Sequence, residues 1–462
     1  MKLIYNVKDR PRPAQLIVFA IQQLLAIMAA TIAVPAIVGN GMTASAALFG
    51  AGVGTLVYQL FTKFKSPVFL GSSFAFIGPM AAAFAGALGN TLLGYLGLIL
   101  GALFAALVYV IIAIIVKFAS VKWINKIMPA SVIGPTVTLI GLSLAGAAIN
   151  DVFSYGPKEN YGTSSYFIMT ENIWISMICG LVTLAVVIIC SVYGKKMVKL
   201  IPFIIGILAG YAVSLIFTVI GIATENPALM VIDFGPFKAL VDGGVSLKTF
   251  ISLPEFTFLN AFKGMSDFSW SYVATVAVAF IPVAFVVFAE HLADHKNLSS
   301  IIESDLLEEP GLHRTLLGDG VGSVVGAFFG GCPNTTYGES VGCVAITGNA
   351  SVVTITTTAI MSILVSFISP FVAFLDSIPG CVMGGVCITL YGFIAVSGLK
   401  MIQKINLEDN ANLFTVAAIL IPGIGGMSLA IGGESKIYIT TIACALILGI
   451  LTNVLVSKGR KE

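Results

Sequence analysis

Two glutamates, Glu290 and Glu339, lie in stretches of the chain where charged residues are scarce. Glu290 closes the apolar run Y-V-A-T-V-A-V-A-F-I-P-V-A-F-V-V-F-A-E, and Glu339 lies in the glycine- and threonine-rich stretch P-N-T-T-Y-G-E-S-V-G. A carboxylate near the middle of a bilayer costs about 2.5–3.5 kcal/mol on insertion scales, so such groups usually face a protein interior or an aqueous cavity. Both glutamates are therefore candidate groups for binding a substrate or a proton.

Residues with complementary chemistry accompany the two glutamates. The other candidates for the same site are Ser73, Phe74, Asp294, Tyr337, Gly338 and Tyr391. Ionised carboxylates only accept hydrogen bonds, backbone N–H groups donate them, and aromatic rings provide flat apolar walls. A small planar ligand with alternating N–H and C=O groups matches this set, and a pyrimidine or purine base fits that description. Two carboxylates in one dry site repel each other when both are ionised, so one of them is suited to carry a proton.

The composition is that of a membrane protein. Of the 462 residues, 58% are hydrophobic and 10% are charged, whereas soluble domains have about 25% charged residues. This excludes an ordinary soluble fold and predicts an all-α polytopic protein surrounded by lipid. Basic residues are dispersed rather than clustered, so nucleic-acid binding has no support. The seven cysteines show no metal-binding spacing, and no metal site is predicted.

Apolar runs between charged residues, prolines and glycines predict fourteen transmembrane segments. In order they are 14–38, 45–61, 67–81, 91–117, 129–148, 172–193, 199–222, 271–293, 315–330, 333–347, 352–369, 379–398, 411–430 and 437–456. Lysines concentrate after even-numbered segments, for example Lys63 and Lys65 after the second and Lys400 and Lys404 after the twelfth. By the positive-inside rule, both termini are then cytoplasmic, and the chain is a multi-pass protein of the cell membrane.

Segments 3 and 10 differ from ordinary membrane helices. The third reads P-V-F-L-G-S-S-F-A-F-I-G-P, which is too short to span a membrane as a helix, and the tenth is interrupted by N-T-T-Y-G-E-S. They hold equivalent places in the first and second seven segments. Short, interrupted segments at matching places predict a 7+7 inverted repeat with the binding site at the repeat interface, where broken backbone can line a cavity.

Several motifs of the chain resemble those of the nucleobase–ascorbate transporter family, also called nucleobase–cation symporters. The matching stretches are G-S-S-F-A-F-I-G-P at 71–79, P-x-x-x-x-G-P-T-V-T-L-I-G-L-S-L-A-G around 129–146, A-E-H at 289–291, D-L-L-x-x-P-G-L-H-R at 305–314, P-N-T-T-Y-G-E-S-V-G at 333–342 and V-M-G-G-V-C-I-T-L-Y-G at 382–392. The resemblance covers essentially the whole chain and is closest to the bacterial uracil permeases. It implies a transporter rather than an enzyme, which takes uracil into the cell in symport with protons and needs no other cofactor.

The resemblance also implies a division into two domains. A core domain would comprise 14–117 and 271–369, and a gate domain would comprise 129–222 and 379–456. In this fold, short extended strands in spans 3 and 10 bring backbone amides to the substrate. Members of the family often form homodimers through the gate domain, and we expect the same here.

By matching motif, the resemblance assigns site roles to individual residues. Glu290 and Glu339 would hydrogen-bond the base, and the backbone of Phe74 and Gly338 would meet its carbonyl groups. The remaining assigned residues are Ser73 in the span-3 stretch, Tyr337 packing on the ring, and Tyr391 facing the site from the gate domain. We expect Glu290 to titrate during transport, assisted by Asp294.

Three positions depart from the family pattern. Ser340 stands where an asparagine is usual, Gln23 where a histidine often follows the first glutamine, and Asp294 where some members have a histidine. The shorter serine puts a side-chain hydrogen bond toward Glu339 or the core in question. The Gln22–Gln23 pair removes one candidate polar contact, and the proton route cannot be assumed to use a histidine.

Other interpretations of these residues stay open at this point. Glu290 could be an interfacial carboxylate, because Asp294, His295 and Lys296 follow within two turns. His291 and His295 are spaced i,i+4, but the H-E-x-x-H order is absent and no third metal ligand is evident. The alternative functions are a xanthine or urate permease on the same fold and, less favoured, an anion exchanger, since two carboxylates would repel a bound anion.

Overall fold

The computed structural model describes residues 3–118, 128–162, 164–195, 197–431 and 437–457, and the chain is mostly helical. The two chain ends that are predicted to be cytoplasmic, residues 1–2 and 458–462, lie outside these ranges. In order, the helices of the described ranges are α1 (Pro13–Val38), α2 (Ala44–Phe61), α3 (Ile77–Gly86), α4 (Thr91–Phe118), α5 (Ala130–Ser143), α6 (Ala145–Val152), α7 (Glu171–Tyr193), α8 (Met197–Leu200), α9 (Pro202–Ala223), α10 (Gly235–Ala239), α11 (Leu247–Phe250), α12 (Thr257–Lys263), α13 (Trp270–Ile302), α14 (Leu312–Gly330), α15 (Gly338–Thr347), α16 (Val352–Val365), α17 (Ser369–Asp376), α18 (Gly380–Ile402), α19 (Asn410–Ile424) and α20 (Thr441–Ser457).

Within the described ranges, eight helical segments are long and apolar enough to cross a membrane. They are Pro13–Val38, Ala44–Phe61, Thr91–Phe118, Ala130–Val152, Glu171–Tyr193, Pro202–Ala223, Trp270–Ile302 and Gly380–Ile402. The prediction of a polytopic helical membrane protein is thus confirmed. The count of fourteen spans and the 7+7 repeat stay predictions.

Short strands form two-stranded antiparallel sheets in the described part of the chain. They are β1 (Leu70–Ser72) with β4 (Asn334–Thr336), β2 (Lys158–Tyr161) with β3 (Ser164–Phe167), and β5 (Leu429–Ile431) with β6 (Ile437–Ile439). β1 and β4 lie in the two stretches that the sequence analysis singled out as interrupted. That these stretches are the third and tenth of fourteen spans stays a prediction.

The chain divides into two compact units, and the division falls inside α18. The first unit comprises residues 1–143, 254–364 and 394–462, and the second comprises residues 144–253 and 365–393. The proposed boundaries of a core and a gate domain stay predictions.

Close packing of α2 against α14 organises the first unit. Small residues allow helix backbones to approach closely in membranes. A Cβ added at Gly50 would lie 2.6 Å from the carbonyl oxygen of Gly326, and one at Gly330 would lie 2.5 Å from that of Ala46. Gly326 and Gly330 are four residues apart and lie on one face of α14. Larger side chains at these positions would force α2 and α14 apart.

A hydrophobic cluster in the same unit joins α2, β1, α13 and α15. Its buried members are Tyr58, Val68, Leu70, Leu298, Ile302, Leu306, Val341, Val344 and Ala350. Because α13 and α15 carry the candidate carboxylates, this cluster fixes the helices from which those side chains project.

Helix α13 is longer than its apolar run predicts. The sequence analysis ended this segment at residue 293, whereas the helix continues to Ile302. The polar residues beyond Glu290 are accommodated because His291 and His295 are buried and hydrogen-bonded within the protein. Glu290 therefore lies inside a continuous helix rather than at its end.

The second unit contains α7 and α9 together with the first part of α18. A Cβ added at Gly210 would lie 1.9 Å from Oγ1 of Thr183, and one at Gly385 would lie 2.3 Å from the carbonyl oxygen of Gly180. These contacts again depend on glycine at helix crossings. Tyr391 lies on α18 within this unit, and its side chain is buried.

Candidate functional site

The pairing of β1 with β4 brings two distant parts of the chain together. Leu70 is opposite Thr336, and Ser72 is opposite Asn334. Backbone hydrogen bonds extend the pairing at both ends, from Ser73 N–H to the Pro333 carbonyl at 2.9 Å and from the N–H of Tyr337 to the carbonyl of Phe69 at 3.2 Å. The six strand residues are all buried.

Each of these two strands leads into a short helix. After β1, a single 3-10 turn over Phe74–Phe76 leads into α3, and after β4, α15 begins at Gly338. The first turn of a helix leaves backbone N–H groups without partners in the helix, and these carry partial positive charge. The start of α15 at Gly338 therefore presents hydrogen-bond donors, and the contact of the Phe74 and Gly338 backbone with a substrate stays a prediction.

The carboxylate of Asp294 meets the end of β4. Thr336 donates a hydrogen bond from Oγ1 to Oδ2 of Asp294 at 2.9 Å. A Cβ added at Gly338 would lie 3.8 Å from Oδ1 of the same aspartate, and Gly338 is solvent-exposed. Asp294, Thr336 and Gly338 therefore surround one accessible point beside the start of α15.

Glu290 and Glu339 belong to the same unit and the same region. Glu290 precedes Asp294 by one turn of α13, and Glu339 lies in the first turn of α15. Both side chains are half-buried, and the helices that carry them, α13 and α15, pack against each other. The first turn of a helix is also a favourable place for a negative charge. Glu290 and Glu339 thus lie on neighbouring helices of the first unit.

Tyr337 lies beneath the strand crossing, with 4% of its surface exposed. Its hydroxyl donates to the carbonyl oxygen of Ser72 at 2.8 Å, and its ring lies against Gly71, where an added Cβ would be 2.2 Å from the ring carbon Cε2. In this conformation the ring packs on the protein's own backbone. Packing of Tyr337 on a bound base stays a prediction.

The other assigned residues have different surroundings. The Ser73 hydroxyl is buried and has no hydrogen-bond partner among the described residues, and Phe74 is half-buried at the start of the 3-10 turn. Tyr391 belongs to the second unit. The roles assigned to these three residues stay predictions.

The sequence analysis underestimated Ser340 and Gln23. Oγ of Ser340 accepts hydrogen bonds from Nε2 of Gln23 at 2.5 Å and from the N–H of Phe69 at 3.0 Å. The shorter serine put a side-chain hydrogen bond toward Glu339 or the core in question. The Gln22–Gln23 pair was expected to remove one candidate polar contact. Instead, these two departures from the family pattern contact each other.

Thr336 is a further residue that the sequence analysis missed. Side chains alternate along a strand, so Thr335 and Thr336 point to opposite faces of β4. Once the stretch N-T-T is recognised as a strand that ends at a site, this alternation indicates that only one of the threonines faces it.

His291 and His295 take part in a buried polar network beside the site. His291 bonds through Nδ1 to Oδ2 of Asp319 at 2.9 Å and through Nε2 to Oγ1 of Thr315 at 2.9 Å. Nε2 of His295 lies 2.7 Å from the hydroxyl of Tyr58. In the described ranges, no group of three or more His, Cys, Asp and Glu side chains could hold a metal ion. The network joins α13 to α2 and α14, and Asp319 is buried within it.

The protein is polytopic and helical, and two of its short helices start where two strands cross beside several carboxylates. This is the architecture of a membrane transporter. The model of the Permease family matches residues 14–432. The uracil permease of Bacillus caldolyticus is 35% identical over 463 residues, which cover 100% of this chain and 96% of that protein. The uracil permease of Escherichia coli (strain K12) is 33% identical over 447 residues, or 96% of this chain and 92% of that protein.

Among solved structures, the transmembrane domain of a cyanobacterium bicarbonate transporter BicA is similar in fold. The TM-score is 0.62 at 14% sequence identity, and the match covers 97% of this chain and 99% of that chain. The chain belongs to the Permease family, as its resemblance to nucleobase–cation symporters predicted. It is a multi-pass membrane permease.

Proposed function

We propose that this permease takes uracil into the cell in symport with protons. The observation that carries the proposal is the meeting of Asp294, Thr336 and Gly338 at the start of α15, with Glu339 in the next position. Two full-length relatives that are named uracil permease, at 35% and 33% identity, support the choice of substrate.

Recognition of the base would use acceptors and donors from the same short stretch. The carboxylate of Glu339 accepts hydrogen bonds from ring N–H groups, and the N–H of Gly338 donates to a ring carbonyl. Hydrogen bonds to an ionised partner are about twice as strong as neutral ones, so Glu339 is the larger contributor. The exposed backbone at Gly338 leaves room for a flat ring to approach.

Proton coupling would use the carboxylates of α13. Glu290 and Asp294 are one turn apart on α13, and this helix packs against α15, which carries Glu339. When Glu290 carries a proton, its carboxyl group can donate a hydrogen bond to the base, so the proton and the base favour each other's binding. Asp294, held by Thr336, assists as a second proton-binding group.

Uptake into proteoliposomes tests the substrate and the coupling together. We expect labelled uracil to accumulate when the outside is more acidic than the inside, and an uncoupler to abolish the accumulation. Excess unlabelled xanthine should leave uptake unchanged. Strong competition by xanthine would instead favour the purine alternative, and uncoupler-insensitive currents of chloride or sulfate would favour an anion exchanger.

The Glu290→Gln variant tests the proposed role of Glu290 in proton coupling. The amide keeps the size of the side chain but cannot carry a proton, so accumulation driven by the pH gradient should be lost. Uptake by the variant that still follows the pH gradient would contradict the role of Glu290.

A further inference from the structure

Ser340 connects three separate parts of the first unit through one hydroxyl group. Its oxygen accepts from Nε2 of Gln23 on α1 and from the N–H of Phe69, which immediately precedes β1. Ser340 itself lies in the first turn of α15. Gln23 is 2% exposed and Ser340 is 0% exposed, so water cannot replace either partner.

The residues that would bind the base lie between two anchored neighbours. On one side, the N–H of Tyr337 donates to the carbonyl of Phe69; on the other, the N–H of Phe69 donates to the hydroxyl of Ser340. Gly338 and Glu339 are the two residues between these attachments. Their positions relative to β1 therefore depend on the attachment at Ser340 as well as on the one at Tyr337.

The hydroxyl of Ser340 has the acceptor capacity that this arrangement requires. A serine oxygen has two lone pairs, and the two donors approach it from different elements. An alanine at this position would leave both buried donors without their acceptor, and a buried donor without a partner is costly. Gln23 and Ser340 therefore form one complementary donor–acceptor pair.

We propose that Gln23 and Ser340 act together as a positioning pair that sets the affinity of the base site. This proposal rests on the proposed function, because the affinity concerned is that for the transported base. Neither side chain touches the base. The pair acts by holding Gly338 and Glu339 at the distance from β1 that binding requires.

A double-mutant cycle on the purified transporter tests the pair. Ser340→Ala and Gln23→Ala should each weaken uracil binding about tenfold, the loss expected from displacing one or two hydrogen bonds to the ligand. The double variant should bind no more weakly than the worse single variant, because both substitutions remove the same contact. The maximal rate of uptake per folded transporter should stay unchanged, since the coupling carboxylates are not altered.

Two further variants serve as matched controls. Ser362→Ala removes a buried serine that bonds to the carbonyl of Leu48, and Gln59→Ala removes a buried glutamine that bonds to Thr356. Both should lower the thermal stability and leave the uracil affinity unchanged. The swapped pair Gln23→His with Ser340→Asn should bind uracil better than either single swap.

Three results would contradict the proposal that Gln23 and Ser340 position the base site. The first is additive losses of uracil affinity in the double-mutant cycle, and the second is an equal loss of affinity in the control variants. The third is a change in the thermal stability of the Gln23 and Ser340 variants with unchanged uracil affinity. If the wild type does not bind uracil, the proposed substrate is refuted, and the same cycle is then measured with the nucleobase that the wild type does bind.

Discussion

Replacing Gly338 by alanine places one methyl group where the base is proposed to meet the backbone. Outside its own stretch of chain, the nearest described atom to the added Cβ is Oδ1 of Asp294, at 3.8 Å. That is an ordinary van der Waals distance, so the protein without ligand accommodates the methyl group. Alanine is also a better helix former than glycine by about 0.5–1 kcal/mol. The melting temperature of the Gly338→Ala variant should therefore be unchanged or slightly higher.

Binding of the base should respond in the opposite direction. The methyl group occupies space beside the N–H that donates to the ring carbonyl, and losing one net hydrogen bond costs about 0.5–1.5 kcal/mol. Steric displacement of the ring adds to this, so we expect the dissociation constant for uracil to rise by about tenfold or more. Isothermal titration with uracil, together with thermal unfolding of the same preparation, measures both quantities.

Gly342→Ala is the matched control for this experiment. Gly342 lies one turn further along α15, and no described atom lies within 4 Å of an added Cβ there. Its melting temperature and its affinity for uracil should both stay close to those of the wild type. Wild-type affinity in Gly338→Ala would refute a binding site at the start of α15.

Three other substitutions test the surroundings of the site. Gly71→Ala should destabilise the protein by about 1–3 kcal/mol, because the methyl group would overlap the ring of Tyr337. Tyr337→Phe should lower stability by about 0.5–1.5 kcal/mol through loss of the bond to Ser72 while keeping uracil affinity within a few-fold. Asp294→Asn should reduce, but not abolish, the stimulation of uptake by a pH gradient, because the amide cannot carry a proton. Thermal unfolding, uracil titration and proteoliposome uptake measure these changes.

Each of these three predictions can fail in a recognisable way. A Gly71→Ala variant as stable as the wild type would show that the packing of the Tyr337 ring does not require a glycine at position 71. Loss of uracil binding in Tyr337→Phe at unchanged stability would place the hydroxyl in contact with the base. Unaltered stimulation in Asp294→Asn would remove this residue from the proton route.

The general architecture could be predicted from the sequence because lipid imposes strong rules on composition. Apolar runs such as 91–117 and 172–193 correspond closely to Thr91–Phe118 and Glu171–Tyr193. The interrupted stretches around Ser73 and Glu339 were visible because glycine, proline and polar residues are unusual within apolar runs. The sequence therefore indicated where the backbone breaks.

Side-chain contacts between distant segments could not be predicted in the same way. Gln23 and Ser340 are far apart in sequence, so only the fold reveals that they are hydrogen-bonded to each other. The i,i+4 spacing of His291 and His295 raised a metal pair as an alternative, and the hydrogen bond from His291 to Asp319 on another helix could not be foreseen from the sequence. The end of α13 was misplaced for a related reason, since burial of its histidines depends on α2 and α14.

Binding of uracil to Glu339→Gln tests the central claim most directly. The amide replaces one acceptor oxygen by a donor, so it opposes the ring N–H group that the carboxylate would accept. Glu309→Gln is the control, since Glu309 is an exposed glutamate outside the site, and hydrogen bonding to Lys65 holds the pKa of Glu309 below its usual range. We expect isothermal titration to detect no uracil binding to Glu339→Gln and normal binding to Glu309→Gln. Near-normal affinity in folded Glu339→Gln would contradict the site described for this permease.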